Sequence, residues 1–286
     1  FINGGLLTLT TNRGDITVSS DVNMGAGGLA LDARSGDIDA GNTAFDGANF
    51  SFAAGGGTVT PRGAAEIRTG AIGSTLRPDS VVMSAGRTGF FSSVSGSVLT
   101  TGAIDARDIS ITTFNGSLRI GTTGTDALGS APGGTINLSA LPNFNGLAGA
   151  IATGNIVGSA ITILSESSGS SPATNTIDVG NITGDTIAIR NVSNTPAHTI
   201  TTGNLDPTDS INIVARTAVT TGSLDAQTID VQRDSIFNFD TPGIRRTKSQ
   251  GASIDFYGAH RAHRSIRRAE VVLLFLVARQ KISKGD

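Results

Sequence analysis

The stretch Ile151-Ala152-Thr153-Gly154-Asn155-Ile156, followed at residues 161–163 by Ile-Thr-Ile, decides the fold of this chain. Its first part reads as an apolar residue, two mostly small polar residues, a Gly, one small residue and a second Ile or Leu. The same phrase occupies residues 67–72, 99–104, 177–182, 200–205 and 219–224. A second phrase, Ile-x-Ile or Ile-x-Val, begins seven residues after the Gly at Ile109, Ile161, Ile187 and Ile229, and eight residues after it at Ile211. Gly154, Gly180, Gly203 and Gly222 lie 26, 23 and 19 residues apart. That period belongs to solenoids and excludes an ordinary domain built on one compact core.

Alternation within the phrases places every second side chain on one face, as in Leu29-Ala30-Leu31, Leu118-Arg119-Ile120 and Ile136-Asn137-Leu138, and this is the pattern of short strands. No 3.6-residue periodicity is sustained through residues 1–240. Coils of two or three strands that stack in parallel register satisfy their backbones along the axis. About eleven coils at roughly 4.8 Å each give a rod on the order of 50 Å long. The second-phrase residues Ile109, Ile161, Ile187, Ile211 and Ile229 are the expected inner column. With 38 Gly, 12 Phe, one Tyr and no Trp, the expected interior is aliphatic, and Gly serves corners that need positive φ or close backbone approach. The chain has no Cys, so neither disulfides nor Cys-ligated zinc can hold it together.

Charge divides the chain near residue 241. Residues 1–240 hold 11 Arg, no Lys and 20 acidic residues, whereas 241–286 hold 10 basic residues against 3 acidic ones. The shaft is therefore 1–240, and 241–286 reads as a basic tail: a helical or irregular end cap, or a non-native carboxyl end. Its cluster Arg261, Arg264, Arg267 and Arg268 lacks the interleaved aromatics of a nucleic-acid site, and the apolar run at 271–278 is too short to span a bilayer. The sequence starts at Phe1 inside a repeat, and the expectation is a piece of a longer protein.

The phrases Gly14-Asp15-Ile16-Thr17-Val18, Gly36-Asp37-Ile38, Asn115-Gly116-Ser117-Leu118 and Gly133-Gly134-Thr135-Ile136-Asn137-Leu138 resemble the filamentous-haemagglutinin-like repeats of bacterial two-partner-secretion exoproteins, including cyanobacterial members. The resemblance covers roughly residues 1–240. It implies a right-handed parallel β-helix, secreted or held at the bacterial surface, exported through an outer-membrane partner and used in adhesion to a host surface, a neighbouring cell or a glycan. The family's Asn-Pro-Asn-Gly secretion element does not occur here, which places the segment in the downstream shaft.

No residue is assigned a catalytic, cofactor or metal role, and no cofactor is expected. The carboxylates Asp105, Asp206 and Asp225 each follow a repeat Gly by three positions and are spread along the axis, whereas an acid/base pair must converge on one bond. Calcium could bridge neighbouring acidic corners such as Asp206 and Asp225, but tandem calcium-binding nonapeptides are absent. His260 and His263 have no third ligand nearby. Arg13-Gly14-Asp15 spells an integrin-type attachment tripeptide, yet the Gly-Asp pair recurs one coil on at Gly36-Asp37 and reads equally as a corner turn. The distance from one repeat to the next varies at a single corner, so the insertions at 165–176 and 191–199 are the candidate contact loops, with Ser167, Ser168, Asn194, Thr195 and His198 as polar groups.

Three function classes follow. The first is a structural shaft of an adhesin that presents corner loops. A polysaccharide-acting β-helix enzyme is the second, and it requires clustered Asp, Arg or Lys on one coil face. The third is an ice- or crystal-binding solenoid, suggested by Thr69, Thr101, Thr153, Thr202 and Thr221 in the slot before the repeat Gly. A final expectation concerns Asn155, Asn181 and Asn204, which share the slot after that Gly and can pair amide to amide as a ladder.

Overall fold

The computed structural model describes residues 4–55, 65–86, 96–121, 126–129, 133–142, 149–167, 175–193, 198–215, 218–233 and 239–240. The chain divides into two units, Phe1–Arg245 and Arg246–Asp286. The second unit, with most of the basic tail, lies outside the described residues.

The described part is all-β and contains no helix, and every strand pair is parallel. It is a three-faced solenoid. The long face stacks, among others, Gly28–Ala33, Asn49–Ala54, Ser80–Ala85, Asp108–Phe114, Thr135–Leu141 and Ala160–Ser167. The second face is a ten-stranded sheet running from Ile16–Thr17 to Phe239–Asp240, one coil fewer than the period suggests. A short third face is built on Phe45, Ile72, Ile104, Leu128, Ile156, Ile182, Leu205 and Leu224. Among the described residues, no helix is long and apolar enough to cross a membrane.

One phrase of sequence therefore turns one corner. Ile151 and Thr153 point inward from the second face, Gly154 is buried at the bend, Asn155 sits outside, and Ile156 points inward again on the third face. Ile161 and Ile163 then enter the core from the long face. The three faces give columns of matched side chains at one strand spacing, such as Ile136, Ile161, Ile187 and Ile211. Where the second phrase starts a residue late, at Ile211, the strand absorbs the extra residue as an irregularity opposite Gly184 and Thr186.

Two expectations about the core need correction. Ile109, Ile161, Ile187 and Ile211 are buried, but Ile229 is half-buried because it lies near the end of the described stack. The interior is not wholly aliphatic either. Phe45, Phe50 and Phe52 fill one coil, with ring centroids of Phe45 and Phe52 5.1 Å apart and those of Phe45 and Phe50 5.9 Å apart at an edge-on angle. One aromatic from the third face and two from the long face occupy the volume that other coils fill with branched aliphatics.

The last inward position of the long face is a column of small residues: Ala33, Ala54, Ala85, Thr113, Ala140, Ser165, Asn191 and Ala215, all buried. Its polar members tie down carbonyls at the adjoining corner. Thr113 donates to the Gly116 carbonyl, Ser165 to that of Gly149, and Asn191 to those of Asn175 and Thr199.

Ile187 is stacked between Ile161 and Ile211. Replacing it with Asp strands a charge between two branched side chains and should cost several kcal/mol. Denaturant unfolding is expected to show a lowered midpoint, and an unchanged midpoint would contradict this register.

Candidate functional site

The corner between the second and third faces has the most regular chemistry of the described residues. A stacked coil that bends leaves backbone N–H groups that no strand partner accepts, and a buried or half-buried donor needs an acceptor. At this corner the Gly N–H is served by the coil before it: Gly180 donates to the carbonyls of Thr153 and Gly154, Gly203 to those of Val179 and Gly180, and Gly222 to those of Thr202 and Gly203. The next N–H is served by a side chain. Asn181 N–H donates to Asn155 Oδ1 at 2.9 Å, Asn204 N–H to Asn181 Oδ1 at 2.8 Å, and Ser223 N–H to Asn204 Oδ1 at 3.0 Å. The ladder is real, but it joins side chain to backbone and not amide to amide as the sequence suggests.

This arrangement dictates the repeat Gly. Gly70, Gly102, Gly154, Gly180, Gly203 and Gly222 do not have positive φ, so freedom of the backbone is not what selects them. Space is. A Cβ on Gly180 would meet Asn155 Oδ1 at 2.5 Å, and a Cβ on Gly203 or Gly222 would collide with Asn181 Oδ1 or Asn204 Oδ1 respectively. At these three positions Gly lets the preceding coil's carboxamide fold beneath the bend, and at Gly70 and Gly102 a Cβ would meet the preceding coil's backbone instead.

Aspartates repeat the device elsewhere. Asp15 Oδ1 accepts from Asp37 N–H and Asp37 Oδ1 from Glu66 N–H, at 2.9 and 2.8 Å. Asp21 Oδ1 accepts from Ala44 N–H at 2.9 Å, and Asp46 Oδ1 from Thr75 and Leu76 N–H. Asp108 Oδ1 accepts from both the N–H and the hydroxyl of Thr135, and Arg107 Nε donates to its other oxygen. The Thr135 N–H, with Arg107 and the Thr135 hydroxyl, holds the Asp108 carboxyl below the usual carboxylate range. Arg107 also approaches Asp79 at 3.5 Å, and Arg77 pairs with Asp105. These surface pairs are half-exposed and each is worth little alone.

The candidate residues fall as follows. Arg13, Gly14 and Asp15 are exposed at a corner, with one Asp15 oxygen engaged by the next coil. Asp206 and Asp225 lie on successive coils, since Leu205 bridges Leu224. Among the described residues, no three His, Cys, Asp or Glu gather as metal ligands. Ser167 ends the strand Ala160–Ser167 and His198 begins His198–Thr202; Ser168, Asn194 and Thr195 lie outside the described residues. The threonine array requires correction. Thr69, Thr101, Thr153, Thr202 and Thr221 are buried, and each hydroxyl donates to the following Gly carbonyl at 2.7–3.4 Å. They cannot present a surface to ice. Alternation contains the signal, because Thr153 stands two residues from inward-facing Ile151.

Sequence reasoning also missed a shallow depression of about 310 Å³ at this corner, lined by Asn42, Arg68, Thr100, Ala103 and the glycines at 41, 70, 102 and 121, among others. It lies where the ladder is interrupted. The slot of Asn155 is filled by Ala44, Ala71 and Ala103 in earlier coils, which offer no acceptor, and among the described residues nothing accepts from the N–H of Ala71 or Ala103.

No family model and no solved structure matches the chain. Over 75 residues it is 47% identical to part of the GTPase Der of Rhodopirellula baltica, which covers 26% of this chain and 16% of that protein. A phosphate-cradling GTPase loop ends in Gly-Lys-Ser/Thr, and no Gly-Lys pair occurs anywhere in the sequence. The chain thus matches a small part of that protein's length, and not its nucleotide-binding signature.

Gly203→Ala should destabilise the protein by about 2 kcal/mol. In an Asn181→Ala background, where the obstructing carboxamide is gone, the same change should cost about 1 kcal/mol less. A double-mutant cycle by denaturant unfolding measures this coupling, and additive effects would contradict it. Acid should act through Asp108. Its folded pKa is lowered, so its stabilising contribution is present above the unfolded value near 4 and is lost as pH falls below it. Asp108→Asn should flatten that part of the stability profile, which unfolding midpoints measured at successively lower pH would read.

Proposed function

We propose that the solenoid is the structural shaft of a secreted or surface-held bacterial adhesin of the filamentous-haemagglutinin-like, two-partner-secretion type. Its ligand is a glycan, a host surface or a neighbouring cell, and export uses an outer-membrane partner in the full-length protein. The observation that carries the reading is where the coils differ. All three corners change in length from coil to coil, and the corner joining the long and second faces changes most: two residues, Asn115 and Gly116, separate Asp108–Phe114 from Ser117–Ile120, but residues 86–97 separate Ser80–Ala85 from Val98–Thr101. The corner that takes the longest insertions is where such a scaffold has most room for recognition loops. Of the carboxylates weighed for acid/base chemistry, Asp105 is paired with Arg77, and Asp206 and Asp225 lie on successive coils.

The test is retention of bacterial and host cells, and of a printed glycan panel, by the full chain immobilised on beads. Replacing residues 168–174 and 194–197 with Gly-Ser segments of equal length should abolish retention while circular dichroism and melting temperature stay unchanged. Failure of the unaltered chain to retain cells or glycans, or full retention after loop replacement, would contradict the proposal.

A further inference from the structure

The depression at the interrupted ladder has the makings of an oxyanion site, and this inference does not depend on the adhesive reading. In later coils the corner N–H finds an Asn oxygen from the coil before it. At Ala103 the slot below holds Ala71, so both the acceptor and its volume are missing. The open space there is the depression itself, which Gly102 and Ala103 both line. The same depression is lined by Arg68 and Asn42, both exposed, and by half-buried Thr100. Among the described residues none of these side chains has a protein hydrogen bond or ion pair. Among the described residues no carboxylate lines the depression, although residues 1–240 hold 20 acidic residues against 11 Arg. Asp39, beside Arg68 in the strand register, is turned to the Gly41 N–H at 3.0 Å.

We propose that this depression binds a carboxylate or sulfate group. Its oxygens would take the place that Asn Oδ1 holds in the other coils, accepting from the Ala103 N–H and pairing with Arg68. A guanidinium with neutral donors around it, in a site without acid, selects an oxyanion over a neutral hydroxyl. Free oxyanions and the acidic units of polysaccharides share this chemistry.

The full chain, labelled with nitrogen-15, is titrated separately with sodium sulfate, trigalacturonate and maltotriose while the Ala103 amide and Arg68 Nε–H resonances are followed. Saturable shifts with sulfate, trigalacturonate or both, and none with maltotriose, are expected. Tighter saturation by trigalacturonate identifies an acidic saccharide, and saturation by sulfate alone identifies a small-anion site. Arg68→Gln should weaken the response about tenfold or more. Ala71→Asn should abolish the Ala103 response and raise the melting temperature, because the protein then supplies its own acceptor. No saturable shift with either anion, an equal response to maltotriose, or unchanged titrations in both variants would overturn the proposal.

Discussion

A parallel coil stack needs acceptors for the N–H groups that its bends take out of the sheets, and in this protein short Asn and Asp side chains supply many of them. Sheet hydrogen bonds hold the faces together without help from side chains. At the corners backbone carbonyls serve the Gly N–H, and the N–H after it needs a side chain. The step from Asn155 to Asn181 to Asn204 to Ser223 and the equivalent steps from Asp15, Asp21, Asp37, Asp46 and Asp108 convert each bend into a further inter-coil bond of about 1 kcal/mol. Because each bond joins neighbouring coils, stability accumulates along the axis, as it does in other repeat architectures.

Packing and hydrogen bonding are coupled at these corners. At Gly180, Gly203 and Gly222 the carboxamide of the preceding coil adds to a close backbone approach, and at Gly70 and Gly102 the backbone of the preceding coil alone leaves no room for a Cβ. Inside the same bend a Thr hydroxyl returns to the Gly carbonyl, which lets a polar side chain complete an apolar column at little cost. The Ala run at positions 44, 71 and 103 departs from this economy and leaves a donor-lined depression. Local departure from an otherwise repeated solution is what gives one coil a chemistry of its own.

The fold was largely legible because period and alternation report it directly: Gly spacing marked the coils, and the Ile-x-Ile phrases marked the inner columns. What escaped depended on direction and partnership, which spacing does not encode. Spacing alone makes the repeated Thr a surface array, whereas the bend keeps it inside. A shared slot suggests that the three Asn pair with one another, but their partners are backbone groups that no side-chain pattern displays. Phe45, Phe50 and Phe52 belong to one coil only through contacts between two faces. The depression at Ala103 was invisible because it consists of missing side chains, and Arg68 in isolation reads as an ordinary exposed strand residue.

The most direct measurement is hydrogen exchange resolved at single corner amides. The N–H groups of Ala44, Asn181, Asn204 and Ser223 should exchange slowly, like those of the faces, because each has an Asx oxygen beneath it. Those of Ala71 and Ala103, which follow an Ala, should exchange at close to the rate of a solvent-exposed amide. Equal protection at all six positions, or fast exchange at Asn181 and Asn204, would contradict the claim that side-chain acceptors carry the stack around its corners.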